Sequence, residues 1–308
     1  MTTVACIGEC MIELKQAANG LYARGFGGDT LNTAVYLARL GVATDYVTAL
    51  GDDAMSDEML AGWAAEGIGT GRVQRLRGKL PGLYMIQTDA NGERRFFHWR
   101  DSAAARALMD LPETGALLAS LVDDKVVYLS AITLSLYGEE GRARLFAALR
   151  TAREKGTRIA FDTNFRARGW PDLDLARRVY GEMFAIADIV LASTEDLLPL
   201  YPGAREAELL VQISSPETVL KLEELACIVR ADGREQMVGA APLSHPVVDT
   251  TAAGDSFAAA YLAARQHGAL PVEAAQAGHR LAGVVVGHSG AIIPRTAMPA
   301  DVLKGTRP

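Results

Sequence analysis

The sequence lacks several features that mark large classes of protein. Among its 308 residues are only three cysteines, Cys6, Cys10 and Cys227, without zinc-ligand spacing or enough partners for a disulfide framework, so we expect structural roles for them. It has no block of Lys and Arg, and its formal net charge is −6, so we expect no nucleic-acid partner. It contains no GxxxxGK[ST] segment, which excludes a P-loop enzyme.

Long hydrophobic runs are also missing. No apolar stretch reaches the roughly 20 residues that a membrane-spanning helix needs. The first residues, "MTTVACIGECMIEL", show neither a basic region nor a small-residue cleavage site. We therefore expect a cytoplasmic protein that has no membrane partner.

The sequence does contain short apolar runs that alternate with amphipathic stretches. They predict buried strands at 4–8, 46–51, 126–130, 158–162, 188–193 and 227–231, with helices at 29–41 and 140–156. This alternation is typical of a parallel sheet covered on both faces, which binds ligands at the carboxyl ends of its strands. Since 49% of the residues are hydrophobic, one large α/β domain over 1–308 is expected.

Two segments, 9–25 and 72–100, depart from this pattern. Both alternate apolar and polar residues and carry turn signals, "ANG" at 18–20 and "DANGE" at 89–93. They predict antiparallel strands in a small second sheet. We interpret this sheet as a lid over the strand ends, and an ordinary β-meander is the alternative.

The segment "GFGGDTLNTAVYLARLG" (25–41) places two glycines and an aspartate before a helix. Gly27 and Gly28 would let the backbone approach a ligand closely. Asp29 could accept hydrogen bonds from sugar hydroxyls. A glycine turn followed by an aspartate cap explains the same residues equally well.

The segment "DTTAAGDSF" (249–257) leads into a second helix. A helix N-terminus offers unpaired N–H groups to an anion, and the small residues Ala252, Ala253 and Gly254 would let phosphate oxygens reach them. Asp255 could then accept a proton from an attacking hydroxyl, although a simple helix cap is the alternative. We expect residue 252 to need only a small side chain, and residue 254 to require glycine.

Together these segments resemble the two signature regions of the PfkB (ribokinase-like) carbohydrate kinases, whose second signature usually reads DTTGAGDSF. Other collinear segments resemble the branch that phosphorylates 2-keto-3-deoxygluconate: "IGECMIEL" (7–14), "LPGLY" (80–84), "RFFHWR" (95–100), "FDTNFR" (161–166) and "GAIIPRTAMP" (290–299). The resemblance implies a ribokinase-like three-layer α/β/α fold with a mainly parallel central sheet and a small β-sheet lid. It also implies transfer of phosphate from ATP, with Mg²⁺, to the C6 hydroxyl of the sugar acid.

The resemblance also implies roles for individual residues. Asp255 would be the catalytic base, with an anion hole at Ala252, Ala253 and Gly254. The sugar acid would be bound by Gly27, Gly28, Asp29, Asn32, Tyr84, His98, Arg100 and Arg166. ATP would be bound by Asn164, Arg166, Arg230, Asp232, Gly233 and the anion hole, and Glu195 and Asp196 would lie in the outer shell of Mg²⁺.

The chain departs from the family pattern at several of these positions. His98 stands where the family usually has Tyr, and Arg230 and Asp232 stand where Lys and Gly are common. In "STED" (193–196), Ser193 and Asp196 replace Asn and Glu. These departures bear on the exact nucleotide contacts and on direct metal ligation, and we expect His98 to contact the substrate more weakly than a Tyr would.

Two other functions fit parts of the sequence. One is another PfkB kinase, acting on fructose, a ketogluconate, 2-keto-3-deoxygalactonate or a nucleoside, but Arg100 and Arg166 favour an acid. The other is a sugar-responsive regulatory protein, against which the intact Gly254 and Asp255 argue. A lid sheet with an exposed apolar face often pairs with a copy of itself, so we expect a homodimer or a higher homo-oligomer.

Overall fold

The strands follow the apolar runs of the sequence closely. The structure is a computed structural model, which describes residues 4–17, 20–88 and 94–305. The strands are β1 (Val4–Ile7), β2 (Met11–Gln16), β3 (Tyr22–Gly27), β4 (Thr44–Gly51), β5 (Val73–Leu76), β6 (Gly82–Thr88), β7 (Arg94–Trp99), β8 (Val126–Ser130), β9 (Arg158–Asp162), β10 (Ile189–Ser193), β11 (Glu217–Lys221), β12 (Ala226–Ala231) and β13 (Arg234–Gly239).

The helices cover most of the segments between these strands. They are α1 (Asp29–Arg39), α2 (Ala54–Ala65), α3 (Thr114–Ala119), α4 (Ala131–Leu136), α5 (Glu139–Glu154), α6 (Leu173–Ile186), α7 (Thr194–Leu197), α8 (Glu206–Gln212), α9 (Ala253–Gln266) and α10 (Pro271–Val285). Short 3₁₀ helices lie at Ala104–Asp110, Ser120–Asp123, Ala167–Gly169 and Arg295–Ala297. The helices predicted at 29–41 and 140–156 correspond to α1 and α5. In the described parts of the chain, no helix has both the length and the apolar character needed to cross a bilayer.

The larger sheet has the strand order β13-β12-β11-β10-β9-β8-β1-β4-β5. Neighbouring strands from β11 to β5 in this order are parallel, so their carboxyl ends meet at one edge. All six predicted strands are present. The one predicted at 227–231 runs antiparallel to β11, as does β13 to β12, so the sheet is mainly parallel.

Helices cover both faces of this sheet. In β1, Ala5 and Ile7 face a core built with α3 to α6 and α8, whereas Val4 and Cys6 face a core built with α1, α2, α9 and α10. Successive residues of a strand point to opposite faces, so a strand buried on both sides is apolar throughout. Cys6, Cys10 and Cys227 are buried and free, as their predicted structural roles require.

The smaller sheet, which we call the lid, has the order β3-β2-β6-β7. Pairs β2–β3 and β6–β7 are antiparallel, but β2 and β6 are parallel, so the expectation of antiparallel strands holds only in part. The segment predicted for the lid at 72–100 is also too long, because β5 pairs with β4 in the main sheet. An edge strand whose apolar and polar residues alternate can belong to either sheet, so the sequence pattern of 73–76 did not show which sheet β5 joins. The turn signals at 18–19 and 89–93 lie outside the described residues.

Candidate active site

Two helix N-termini meet at the carboxyl edge of the main sheet. Asp29 lies in the first turn of α1, and Asp255 lies in the first turn of α9. Asn32 Nδ2 donates to Asp255 Oδ2 at 2.8 Å, and Thr33 Oγ1 donates to the backbone oxygen of Asp255 at 3.2 Å. Both carboxylates therefore lie where helix dipoles favour negative charge.

Two neighbouring strand ends add further polar groups. Asn164 follows β9, and its Nδ2 donates to Asp29 Oδ2 at 2.8 Å. Lys221 ends β11, and its Nζ lies 3.5 Å from Oδ2 of Asp162, the last residue of β9. Lys221 was not predicted as a site residue. The sequence shows only a single lysine at the end of "TVLK". Its position at the carboxyl edge of the sheet can be inferred only once β11 is recognised as a strand.

The electrostatics of this edge favour proton transfer at Asp255. Burial raises the pKa of Asp255 well above its usual range, and the Asp29 carboxylate raises it further. Burial likewise raises the pKa of Asp162 to about 6, although Lys221 opposes the shift. Burial lowers the pKa of Lys221, but the carboxylates of Asp162 and Asp196 outweigh it, so this lysine stays charged. The edge thus combines a carboxylate that binds protons readily with a fixed ammonium.

The loop before α9 has an unusual backbone. Ala252 precedes α9 with φ 61° and ψ 17°, in the left-handed region. The expectation that residue 252 needs only a small side chain is therefore wrong. Gly254 lies in the first helical turn without positive φ, and an added Cβ would meet Lys221 Nζ at 3.5 Å, an ordinary contact. The fold itself does not require glycine at 254, so any requirement there must come from a ligand.

The lid turns a set of polar and aromatic side chains towards the main sheet. Tyr84 Oη donates to Glu13 Oε2 at 2.5 Å, and the rings of Tyr84 and His98 stack with centroids 6.0 Å apart. A Cβ on Gly27 would lie 2.2 Å from Tyr84 Oη, so glycine is required there for close approach. Burial lowers the pKa of His98, and the nearby Arg100 lowers it further, so the ring is neutral at pH 7.

Both predicted sugar-acid arginines have carboxylate neighbours in the structure. Arg100 Nη2 pairs with Glu9 Oε2, and both Glu9 Oε1 and Arg100 Nε are buried without a hydrogen-bond partner. Burial raises the pKa of Glu9, against the effect of Arg100. Arg166, whose side chain is 60% exposed, lies 3.4 Å from Asp196 Oδ1. Arg168 was not predicted from the sequence. Its Nη1 lies 3.4 Å from His98 Nδ1, and this contact joins the segment after β9 to the lid.

The residues predicted for the outer shell of Mg²⁺, Glu195 and Asp196, both lie in the short helix α7. Asp196 is buried, and its carboxylate accepts hydrogen bonds from Thr163 Oγ1, Ser193 Oγ and the backbone N–H of Phe165. Glu195 is exposed. Among the described residues, no group of three or more His, Cys, Asp or Glu side chains could hold a metal ion. Asp196 therefore anchors the loop after β9.

Three predicted nucleotide residues lie away from this site. Because β12 is antiparallel to β11, Ala231 pairs with Glu217, at the amino end of the parallel strands. Asp232 and Gly233, both with positive φ, form the following turn at that far edge. Arg230 donates to the backbone oxygens of Leu210, Ile213 and Ser215. These contacts contradict the prediction that Arg230, Asp232 and Gly233 bind ATP.

Comparison with known proteins bears on this geometry. Residues 1–298 match the pfkB family of carbohydrate kinases. The chain is 44% identical to 2-dehydro-3-deoxygluconokinase of Dickeya dadantii, over 97% of this chain and 100% of the relative. The structure of fructokinase with bound ATP from Xylella fastidiosa has a TM-score of 0.83 at 24% identity, covering 98% of this chain and 97% of that one. The structure of 2-dehydro-3-deoxygluconokinase from Thermotoga maritima has a TM-score of 0.82 at 22% identity, covering 95% and 94%. These two structures confirm the ribokinase-like fold.

The left-handed conformation of Ala252 gives a prediction for stability. A left-handed residue other than glycine costs about 1–2 kcal/mol. Ala252→Gly removes that cost but adds freedom to the unfolded chain, so we expect a net gain of about 0.5–1 kcal/mol in the free energy of unfolding, measured in urea. Ala253→Gly, one residue later in the helix, should lose about 0.5–1 kcal/mol. Equal losses in both variants would contradict the left-handed assignment.

The position of Arg230 gives a second prediction. Arg230→Met removes the guanidinium that donates to the carbonyls of Leu210, Ile213 and Ser215, of which Leu210 still accepts from the N–H of Ile213, so the free energy of unfolding should fall by at least about 2 kcal/mol. The KM for ATP of the folded variant should stay within about twofold of the original value. A large rise in the KM for ATP with unchanged stability would restore the nucleotide role that we reject.

Proposed function

The chain belongs to the pfkB family of carbohydrate kinases, and on this basis we propose that it transfers phosphate from ATP to the C6 hydroxyl of 2-keto-3-deoxygluconate, also called 2-dehydro-3-deoxygluconate. The product is 2-keto-3-deoxy-6-phosphogluconate. The 44% identity to the Dickeya enzyme supports this substrate. The observation that carries the chemistry is the Asp255 carboxylate, held by Asn32 at the N-terminus of α9. We also propose a cytoplasmic location, where ATP is available.

The proposed reaction needs one base and a fixed electrostatic environment. Asp255 takes the proton of the C6 hydroxyl as that oxygen forms its bond to the γ-phosphorus and the bond to ADP breaks. Its raised pKa makes it a stronger base than an ordinary aspartate. Asn32 fixes the orientation of the carboxylate.

Phosphate stabilisation would come from the α9 N-terminus and from one lysine. The backbone amides of Ala252 and Gly254 lie at the positive end of the helix dipole, whereas the Ala253 N–H, also predicted for the anion hole, donates to the Thr250 carbonyl at 3.2 Å. Lys221 adds a charge close to Gly254, and Asn164 lies at the same edge. We propose that magnesium arrives as part of the MgATP substrate, because Asp196 already accepts hydrogen bonds from the protein and Glu195 is exposed.

The sugar acid would lie between the lid and α1. Gly27, Gly28, Asp29 and Asn32 would contact its hydroxyls, and Tyr84 and His98 would cover it from the lid. Arg100 and Arg166 would bind the carboxylate, for which the guanidinium fork is well suited. The buried Arg100 Nε and Glu9 Oε1 that lack partners support a polar ligand at Arg100. Closure of the lid would exclude water and limit ATP hydrolysis.

The alternative is a kinase for another sugar, such as fructose, a ketogluconate or 2-keto-3-deoxygalactonate. The fructokinase from Xylella has the same fold, so the fold alone does not distinguish fructose from a sugar acid as the substrate. A neutral sugar would leave Arg100 and Arg166 with only the protein carboxylates of Glu9 and Asp196 to bind. We therefore retain the sugar acid as the proposed substrate.

We further propose that the lid pairs with a second copy of the chain. On the lid face opposite Tyr84 lie Leu83, Met85, Phe97 and Trp99, and Trp99 is 58% exposed. Such an apolar face is stabilised when a partner sheet covers it.

Replacement of Asp255 tests the proposed chemistry. Asp255→Asn keeps the shape and the Asn32 contact but removes the base, so kcat should fall by roughly 10²-fold or more while ATP is still bound. Turnover should be measured with 2-keto-3-deoxygluconate, 2-keto-3-deoxygalactonate, ketogluconate and fructose. Near-normal turnover in this variant would refute the role of Asp255, and a preference for fructose would refute the substrate.

The raised pKa of Asp255 predicts the pH dependence. Asp255 acts only when ionised, so kcat/KM should fall as the pH drops through its raised pKa, well above the value of about 3.9 for an ordinary aspartate. Asp29→Asn removes a neighbouring negative charge and should shift this acid limb to lower pH. The control Asp110→Asn, at an exposed position, should not move it. An acid limb that is unchanged in Asp29→Asn would contradict this interpretation.

The oligomeric state tests the lid surface. Light scattering should give about twice the chain mass of 32.8 kDa or a higher multiple. Trp99→Glu, which places a charge on the exposed apolar face, should give the monomer mass without unfolding the protein. A monomer mass for the unmodified chain would refute the proposal.

A further inference from the structure

One lid residue reaches across the site to the loop that precedes α9. Lys15 lies in β2, on the same lid face as Glu13 and two residues further along the strand. Its Nζ lies 3.5 Å from Asp249 Oδ2 and 3.2 Å from Ser289 Oγ. These contacts join positions that are 234 and 274 residues apart in the chain.

Asp249 organises the backbone on which phosphate binding would depend. It is 3% exposed, and its Oδ1 accepts hydrogen bonds from the N–H and Oγ1 of Thr251 at 3.0 and 2.6 Å. Its Oδ2 accepts from the N–H of Gly290 at 3.1 Å. The carboxylate therefore holds the loop before α9 against the loop after α10. Ala252 follows this anchored segment directly.

The charge of Asp249 creates a difficulty that Lys15 resolves. A buried carboxylate a few residues from an anion-binding helix terminus would repel an incoming phosphate. An ammonium on the same carboxylate offsets that repulsion, and here it belongs to the lid. A closed lid then favours anion binding, and by linkage a bound anion favours the closed lid.

We propose that Lys15 is a positioning residue that acts through Asp249 and couples lid closure to nucleotide phosphate binding. This inference rests on the proposed kinase function. It predicts that loss of the ammonium weakens nucleotide binding and separates ATP consumption from sugar phosphorylation. Contact of Lys15 with the sugar acid would instead predict weaker sugar binding alone.

The test compares Lys15→Met and Lys15→Arg with the control Lys155→Met, which removes a lysine charge at the exposed end of α5. The dissociation constant for the magnesium complex of a non-hydrolysable ATP analogue, measured by calorimetry, should rise at least fivefold in Lys15→Met. It should change less than twofold in the control and recover in part in Lys15→Arg. The melting temperature of each variant, measured alongside, identifies any loss through unfolding.

Kinetics and chemical rescue complete the test. In Lys15→Met, kcat should fall about tenfold, and more ADP should form per sugar phosphorylated. In Lys15→Ala, added propylammonium should restore both quantities, which a purely structural role would not produce. Unchanged nucleotide affinity, or a rise confined to the KM of the sugar acid, would overturn the inference. The nucleotide measurement needs no sugar, so it remains decisive even if the unmodified protein phosphorylates none of the sugars in the panel.

Discussion

Crowding of negative charge at the carboxyl edge of the main sheet is the constraint around which the site is arranged. Asp29, Asp162 and Asp255 lie there together, and a kinase must bring a polyanion to the same place. The structure offsets this charge with the N-termini of α1 and α9, with the amides of Asn32 and Asn164, and with the ammonium of Lys221. Burial is the main cause of the raised pKa of Asp255, and the residual repulsion from Asp29 raises this pKa further, which makes the carboxylate a useful base.

The fold was largely predictable because strands buried on both faces have a strong sequence signal. Runs such as 4–7 and 126–129 are apolar throughout and were placed correctly. Strands with weaker patterns were not: β11 has only two apolar residues, Val219 and Leu220, between its charged ends, and β13 is mostly polar. Because β11 was missed, the direction of β12 could not be inferred, and Arg230 was assigned to the wrong edge of the sheet.

The candidate site was likewise predictable from the sequence only in part. The glycines, Asp29 and Asp255 stand in short segments whose residue types indicate their chemistry, and the structure brings Asn32 and Asp255 together. Contacts between residues that are distant in the chain could not be inferred from the sequence. Examples are the Arg100–Glu9 pair, the contact of Arg168 with His98 and the position of Lys221. The left-handed Ala252 was also missed, because alanine carries no signal for that conformation.

The neighbouring positions of α1 and α9 bear on how the chain is made. Leu31, Ala34 and Val35 of α1 belong to the same core as the alanine-rich α9, which begins only at Ala253. A nascent chain that ends before residue 253 can form many of the strands, yet part of its first helix stays uncovered. The growing polypeptide thus exposes apolar side chains of α1 until α9 has emerged from the ribosome.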